Sequence, residues 1–194
     1  GFSLETVDER FGAGDVVIRR LEDEAGLMKR EEQALVEAAM DRFEKRFPQL
    51  FFAVYTGSPE GPRDPRQFGF WLLNRGAFED VDVSRPNEGG ILLSVDVGGK
   101  SAGISFGYRL QPYLDDDLTF RALSAAHPYF LQGQYLKAVE VVVKRMSRIL
   151  RKESERVRKN PEQVLTRSGE RSEIAGEVLE RIRANHKKKG QPKL

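Results

Sequence analysis

The sequence predicts one layered α/β domain that carries a charged helical extension at its carboxyl end. Amphipathic stretches with helical spacing alternate along the chain with short apolar runs typical of strands, which favours helices packed on a sheet. The 194 residues suffice for one well-buried domain and an appendage. We therefore divide the chain into a lead-in of residues 1–19, an α/β domain of residues 20–159 and a basic tail of residues 160–194.

Residues 27–57 predict a helix followed by a buried strand. The apolar residues of the helix recur at i, i+4, i+7 and i+11 and are Val36, Met40, Phe43 and Phe47. Pro48 ends this helix. The run LFFAVYT that follows is almost continuously apolar, as in a strand covered on both faces. Prolines and glycines in GSPEGPRDP then indicate a loop. The segment after it, RQFGFWLLNRG, is predicted to be a short helix.

The strongest local signal is GGILLSVDVGGKSAGISFGY, residues 89–108. Two apolar strands flank a Gly-Gly pair, Gly98 and Gly99, which can take the positive φ values of a tight hairpin turn. Asp96 stands just before this pair and is expected to be a turn residue. The sheet therefore contains an antiparallel hairpin.

Helical periodicity resumes after the hairpin in DDDLTFRALSAAHPYF and in QYLKAVEVVVKRMSRIL. The segment NPEQ, residues 160–163, has the composition of a further helix start, with a capping residue followed by proline. The last residues, HKKKGQPKL, are expected to be disordered.

Charge is distributed unevenly along the chain. Residues 144–194 carry 16 Lys and Arg against 7 Asp and Glu, a net charge of +9, and the other residues carry a net charge of −7. A polybasic segment can bind anionic lipid or nucleic acid through phosphate contacts. The interspersed acids favour a solvated helix instead. If the tail does bind a partner, we expect an anionic membrane surface and not nucleic acid.

Composition excludes several kinds of site. Without cysteine the chain has no disulfide, thiolate metal site or cysteine nucleophile, and two histidines argue against a His-rich zinc site. No stretch approaches the roughly 18 to 20 apolar residues of a membrane helix. GGKS, residues 98–101, is not a phosphate-binding loop, because Ser94 replaces its first glycine and a strand pattern follows. We identify no nucleophile paired with a base, and predict no catalytic residue.

Three consecutive aspartates, Asp115, Asp116 and Asp117, stand where a helix begins. One of them can cap the free amides of the helix, and the others gain from its dipole. They are also hard oxygen ligands of the kind that Ca²⁺ and Mg²⁺ prefer. Adjacent side chains diverge, and calcium takes about six to eight oxygens, so acids from elsewhere would have to converge on them.

Three motifs resemble the TPM domain family and stand in that family's order. They are the opening LEDEAGLMKREE, the hairpin GGILLSVDVGGKSAGISFGYRLQPYLDDD and the segment HPYFLQGQYLKAV. The resemblance covers residues 20–150. The family includes plant thylakoid-lumen proteins linked to photosystem II repair, bacterial membrane-associated proteins and animal receptor-auxiliary proteins.

The resemblance implies a three-layer α/β/α sandwich around a small mixed sheet. It also implies binding of divalent cations such as calcium, and a phosphatase activity has been proposed for the plant branch. The site residues that carry over are Asp23 and Asp116, with Asp115 beside the latter. Gly103 and Ser105 stand where the family usually has an arginine and a glutamate, so we expect at most a weak site for Ca²⁺ or Mg²⁺.

Three functions are compatible with these observations. The missing charges and the lack of a nucleophile favour a TPM-like interaction or auxiliary module for an unknown protein partner, which by resemblance would be extracytoplasmic and membrane-associated. The second is a metal-dependent phosphatase, in which a cation held by Asp23 and Asp116 activates water. The third is binding of an anionic membrane or nucleic acid by the basic tail. The chain starts with Gly1, which is compatible with loss of a signal peptide or anchor.

Overall fold

A computed structural model of the chain describes residues 3–58 and 64–163. The α-helices in these ranges are α1 (Leu4–Phe11), α2 (Arg30–Arg46), α3 (Pro65–Arg75), α4 (Asp116–Leu131) and α5 (Tyr135–Lys159). The strands are β1 (Val16–Ile18), β2 (Leu21–Asp23), β3 (Phe51–Gly57), β4 (Gly76–Phe78), β5 (Gly90–Asp96) and β6 (Ser101–Phe106).

The central sheet has the strand order β2-β3-β5-β6. β2, β3 and β5 run parallel, and β6 is antiparallel to β5, so the sheet is mixed as predicted. Asp23 pairs in register with Thr56, and Gly57 with Asp96. The carboxyl ends of the three parallel strands and the β5–β6 turn therefore lie together, at what we call the carboxyl end of the sheet.

Helices cover both faces of the sheet, because alternate strand residues face opposite layers. In β3, Phe52 and Val54 belong to a core shared with α2, α4 and α5. Phe51 and Ala53 belong to a second core, which is shared with α1 and α3. The three-layer α/β/α sandwich around a small mixed sheet is thereby confirmed.

Residues 3–19 are packed against the body of the fold. Val7 of α1 is fully buried, and Asp8 of α1 forms an ion pair with Arg75 of α3. The indole N–H of Trp71 donates to the carbonyl of Gly12 at 2.7 Å. β1 pairs with β4 in a separate two-stranded sheet. The segment treated as a lead-in thus completes the second core.

The hairpin is confirmed, but its turn differs from the prediction. Asp96 pairs with Ser101, which leaves four residues in the loop instead of two. The residue with positive φ is Lys100, at 52°, and not Gly98 or Gly99. Asp96 is a turn residue as predicted, because its carboxylate accepts a hydrogen bond from the N–H of Gly99 at 3.0 Å.

The carboxyl-terminal helix α5 ends at Lys159, and Val157 near its end is fully buried. A short 3₁₀ turn, Pro161–Gln163, follows at the predicted helix start. The predicted tail helix and the disordered end, residues 164–194, lie outside the described residues. Across residues 3–58 and 64–163, the helices are too short or too polar to span a lipid bilayer.

Candidate functional site

Asp23 is the last residue of β2, and its carboxylate organises the connection to α2. Its Oδ1 accepts hydrogen bonds from the backbone N–H of Leu27 at 3.0 Å and from the Thr56 hydroxyl at 2.5 Å. Its Oδ2 accepts from the N–H of Met28 at 2.9 Å and from the Gln33 amide at 3.4 Å. A carboxylate offers about four acceptor positions, so these donors occupy the hydrogen-bonding capacity of Asp23.

The residues after Asp23 form the turn that this carboxylate holds. Gly26 has a φ of +66°, in the left-handed region that favours glycine. Its N–H donates to the Asp23 carbonyl at 3.1 Å, and the N–H of Ala25 donates to the Thr56 carbonyl at 3.2 Å. The aspartate, Ala-Gly and hydrophobic pair of the opening motif are therefore a turn-forming sequence.

Thr56 is a site residue that was not predicted from the sequence. It is 1% exposed and contacts Asp23 across the β2–β3 pair. The neighbouring Tyr55 donates its hydroxyl hydrogen bond to Glu24, on the loop that follows Asp23. A small hydroxyl residue inside the apolar run LFFAVYT was the available sequence signal, because a buried hydroxyl needs a partner.

The three aspartates at the start of α4 have different environments. Asp115 is the N-cap and accepts a hydrogen bond from the N–H of Leu118 at 2.9 Å, which confirms the predicted cap. Asp116 forms an ion pair with Arg66 at 3.0 Å, and the two side chains are 72% and 49% exposed. Asp117 is also exposed. An ion pair this exposed contributes little to stability.

The structure does not bring Asp23 and Asp116 together. Asp23 belongs to β2, one outer strand of the sheet, and Asp116 pairs with Arg66, which packs on β6 at the other side. Three strand spacings separate these positions by roughly 14 Å. Among the described residues, no three acidic or histidine side chains are grouped as a metal site would require. The Ca²⁺ or Mg²⁺ site that would join Asp23, Asp115 and Asp116 stays a prediction.

The neutral residues of β6 allow α3 to pack directly on the strand. A Cβ atom at Gly103 would lie 2.8 Å from Cγ and 3.0 Å from the backbone nitrogen of Arg66. The Ser105 hydroxyl donates to the Arg66 carbonyl at 3.1 Å, and a Cβ atom at Gly69 would lie 2.6 Å from the Ser105 oxygen. The positive charge beside Asp116 therefore comes from the helix and not from the strand.

An open cleft of about 370 Å³ lies at the carboxyl end of the sheet, between the β5–β6 turn and the α4–α5 connection. Its apolar wall includes Val97, Phe130, Leu131 and Tyr135. Leu131 is 73% exposed, although it lines the same cleft as the aromatic rings of Phe130 and Tyr135. Lys100 and His127 also line the cleft and are exposed. The sequence did not predict this cleft, because the hairpin and the helix connection that form it are distant in sequence.

A buried group of charges near α2 has a structural explanation. Arg20 donates to Asp80 at 3.1 Å and to Glu44, and burial raises the pKa of Glu44 while Arg20 opposes that rise. Arg85 donates to the carbonyls of Glu44, Phe47 and Leu50 at 2.6 to 3.1 Å. These carbonyls end α2 and its following turn, so Arg85 acts as a carboxyl-terminal cap.

The layers and the strand order define the chain as an α/β/α sandwich domain. A family model described as the TPM domain matches residues 21–149. The chain belongs to the TPM domain family. No curated protein matches the sequence.

Solved structures of similar fold include proteins from three bacteria. The N-terminal domain of a protein from P. gingivalis is 22% identical with a TM-score of 0.54, covering 77% of this chain and 91% of that one. The N-terminal domain of the cg2496 protein from Corynebacterium glutamicum is 16% identical with a TM-score of 0.51, covering 68% and 80%. The BA42 protein from the psychrophilic bacterium Bizionia argentinensis is 20% identical with a TM-score of 0.51, covering 66% and 83%. At these identities the likeness supports the fold alone.

Proposed function

We propose that this TPM domain is an interaction module that binds a protein partner through the cleft at the carboxyl end of the sheet. The observation that carries the proposal is the exposure of Leu131, 73%, inside a concave surface. Exposed apolar patches mark interaction sites, and aromatic side chains, here Phe130 and Tyr135, are enriched in protein interfaces.

The rim of the cleft indicates the chemistry of the partner. Lys100 and His127 are exposed there, whereas the carboxylate of Asp96 is buried and engaged with the N–H of Gly99. The available charge is therefore the positive charge of Lys100. A partner segment with an apolar side chain next to a carboxylate would complement this surface. The same proposal includes an extracytoplasmic, membrane-associated setting, and its support is the resemblance to membrane-associated members of the family.

A metal-dependent phosphatase would need a different arrangement of acids. Asp23 and Asp116 would have to hold one cation, but Asp23 has its acceptor positions filled and Asp116 lies beyond the opposite outer strand. A weak cation site at one of these carboxylates alone is compatible with the interaction module. Titration with Ca²⁺ and Mg²⁺, followed by backbone NMR shifts, separates these alternatives, since a shared site must perturb both regions with one binding curve.

Site-specific crosslinking tests the interaction module. A photoreactive amino acid replaces Leu131 in the full chain, and the protein is irradiated in extracts of the cells from which it originates. We expect a discrete crosslinked protein, identified by mass spectrometry, whose yield falls when Lys100→Glu is added.

Leu35 provides the matched control, because it is also an exposed leucine, at 51%, but lies on α2 outside the cleft. The same photoreactive residue at Leu35 should not give that product. Equal products from both positions, or a yield insensitive to Lys100→Glu, would contradict the proposed binding surface.

A further inference from the structure

A second concave surface lies between α2 and α5, away from the apolar cleft. This basic groove has a volume of about 530 Å³. Its five cationic side chains are Arg42 and Arg46 of α2 and Lys144, Arg148 and Arg151 of α5. Among the described residues, Glu140 is the one acid that lines it, so this part of the lining carries a net charge of +4.

Helical spacing places the cations of each helix in one row along the groove. Arg42 and Arg46 are four residues apart on α2, and the three cations of α5 follow i, i+4 and i+7 spacing. Residues with these spacings share one helix face. Between the two rows the floor is apolar, with Phe43 and Val143 both buried.

Within the described part of the chain, the five cations form no ion pair with a carboxylate. Arg20 and Arg75, by contrast, each contact an aspartate. Like charges four residues apart destabilise a helix by a few tenths of a kcal/mol. Arg46 is in the last turn of α2, where a cation favours the helix dipole, but Lys144 and Arg148 lie in the middle of α5.

We propose that the basic groove binds an anion that carries at least two phosphate groups. Guanidinium groups match phosphate oxygens with two parallel hydrogen bonds. Lys144 and Arg151 are seven residues apart, about 10 Å along the helix, so one phosphate cannot reach both ends. A volume of this size suits a small ligand, and the low-dielectric walls strengthen the field inside.

Titration of the full chain with inorganic tripolyphosphate tests the proposal, at about 50 mM salt to preserve electrostatic binding. Calorimetry should give one saturable site that weakens as salt increases. Backbone NMR shifts should concentrate at residues 42–46 and 144–151. Arg148→Gln should lower the affinity at least about tenfold, because charge-assisted hydrogen bonds are roughly twice as strong as neutral ones, and Arg148→Lys should retain part of it.

Arg145→Gln is the matched control. Arg145 is an exposed arginine of the same helix that does not line the groove. Its replacement removes the same charge and should change the affinity by less than about threefold, as expected for a screened surface charge. An equal loss from Arg145→Gln and Arg148→Gln would overturn the proposal, as would the absence of saturable binding. Tighter binding of an acidic peptide at the same residues would also overturn it.

Vesicles identify the source of the phosphate groups. Vesicles containing a phosphoinositide bisphosphate, compared with vesicles of the same charge made with phosphatidylserine, measure recognition of a lipid headgroup. The lipid headgroup is the ligand if the protein binds the phosphoinositide vesicles, Arg148→Gln abolishes this binding and Arg145→Gln preserves it. Groove-dependent binding of tripolyphosphate without vesicle binding would assign a soluble phosphate compound.

Discussion

Replacing Asp23 with alanine tests whether its carboxylate holds the turn between β2 and α2. The side chains of Thr56 and Gln33 can rotate toward water, but the backbone N–H groups of Leu27 and Met28 are fixed by the turn. An orphaned donor costs about 1 to 3 kcal/mol. Because the site is only partly buried, we expect Asp23→Ala to lower the free energy of unfolding by about 2 to 4 kcal/mol.

Urea unfolding at neutral pH in the presence of a chelator measures this loss without any contribution from bound cations. With a slope of about 2 kcal/mol per molar urea, the midpoint should fall by about 1 to 2 M. Asp116→Ala is the control, because it removes an acid from an exposed ion pair and should cost less than about 1 kcal/mol.

A loss below about 1 kcal/mol for Asp23→Ala would refute the structural role of the carboxylate. The same variants then serve for the cation prediction. If Ca²⁺ stabilises the parent protein, the variant that loses this stabilisation identifies the ligand.

Two further predictions concern Tyr113 and Asp115. Tyr113 is 4% exposed and burial raises its pKa from 10.0 to about 12. The stability that this contributes is complete below pH 10 and is lost as the pH rises toward 12. When chemical unfolding is measured between about pH 9 and pH 11, Tyr113→Phe should therefore lose less stability than the parent protein. The difference should be roughly 1.4 kcal/mol per pH unit above pH 10. Equal losses in the two proteins would exclude Tyr113 as the cause. Asp115→Ala should cost about 1 kcal/mol in thermal unfolding and Asp115→Asn only a few tenths; equal costs would argue against the cap.

Helix α2 and the hairpin could be predicted because short stretches of sequence determine them. The stripe of Val36, Met40 and Phe43 fixes the buried face of α2, and all three are buried in the structure. The hairpin followed from two apolar runs around glycines. Its turn was predicted wrongly, because loop length depends on the strand register, and Lys100 occupies the left-handed position.

The arrangement of the candidate site depends on the order of the strands in the sheet, and local sequence patterns do not reveal that order. Asp23 and Asp116 are both acids at element boundaries, and nothing in their spacing tells that β3 and β5 lie between them. Arg66 likewise belongs to a predicted short helix, and nothing in the sequence predicted its ion pair with Asp116. The eight residues of α1 bury only Val7 within the helix, so the periodicity of this segment was too weak to predict its packing.

The ion pair between Arg66 and Asp116 connects helices from opposite layers. α3 covers one face of β6 and α4 the other, so the pair passes around the outer side of that strand. An outer strand presents unpaired backbone groups that can recruit a strand from another molecule, and such recruitment leads to aggregation. Another chain that approached β6 would meet two charged side chains and would have to separate them. An ion pair that contributes little to folding can therefore protect the solubility of the protein.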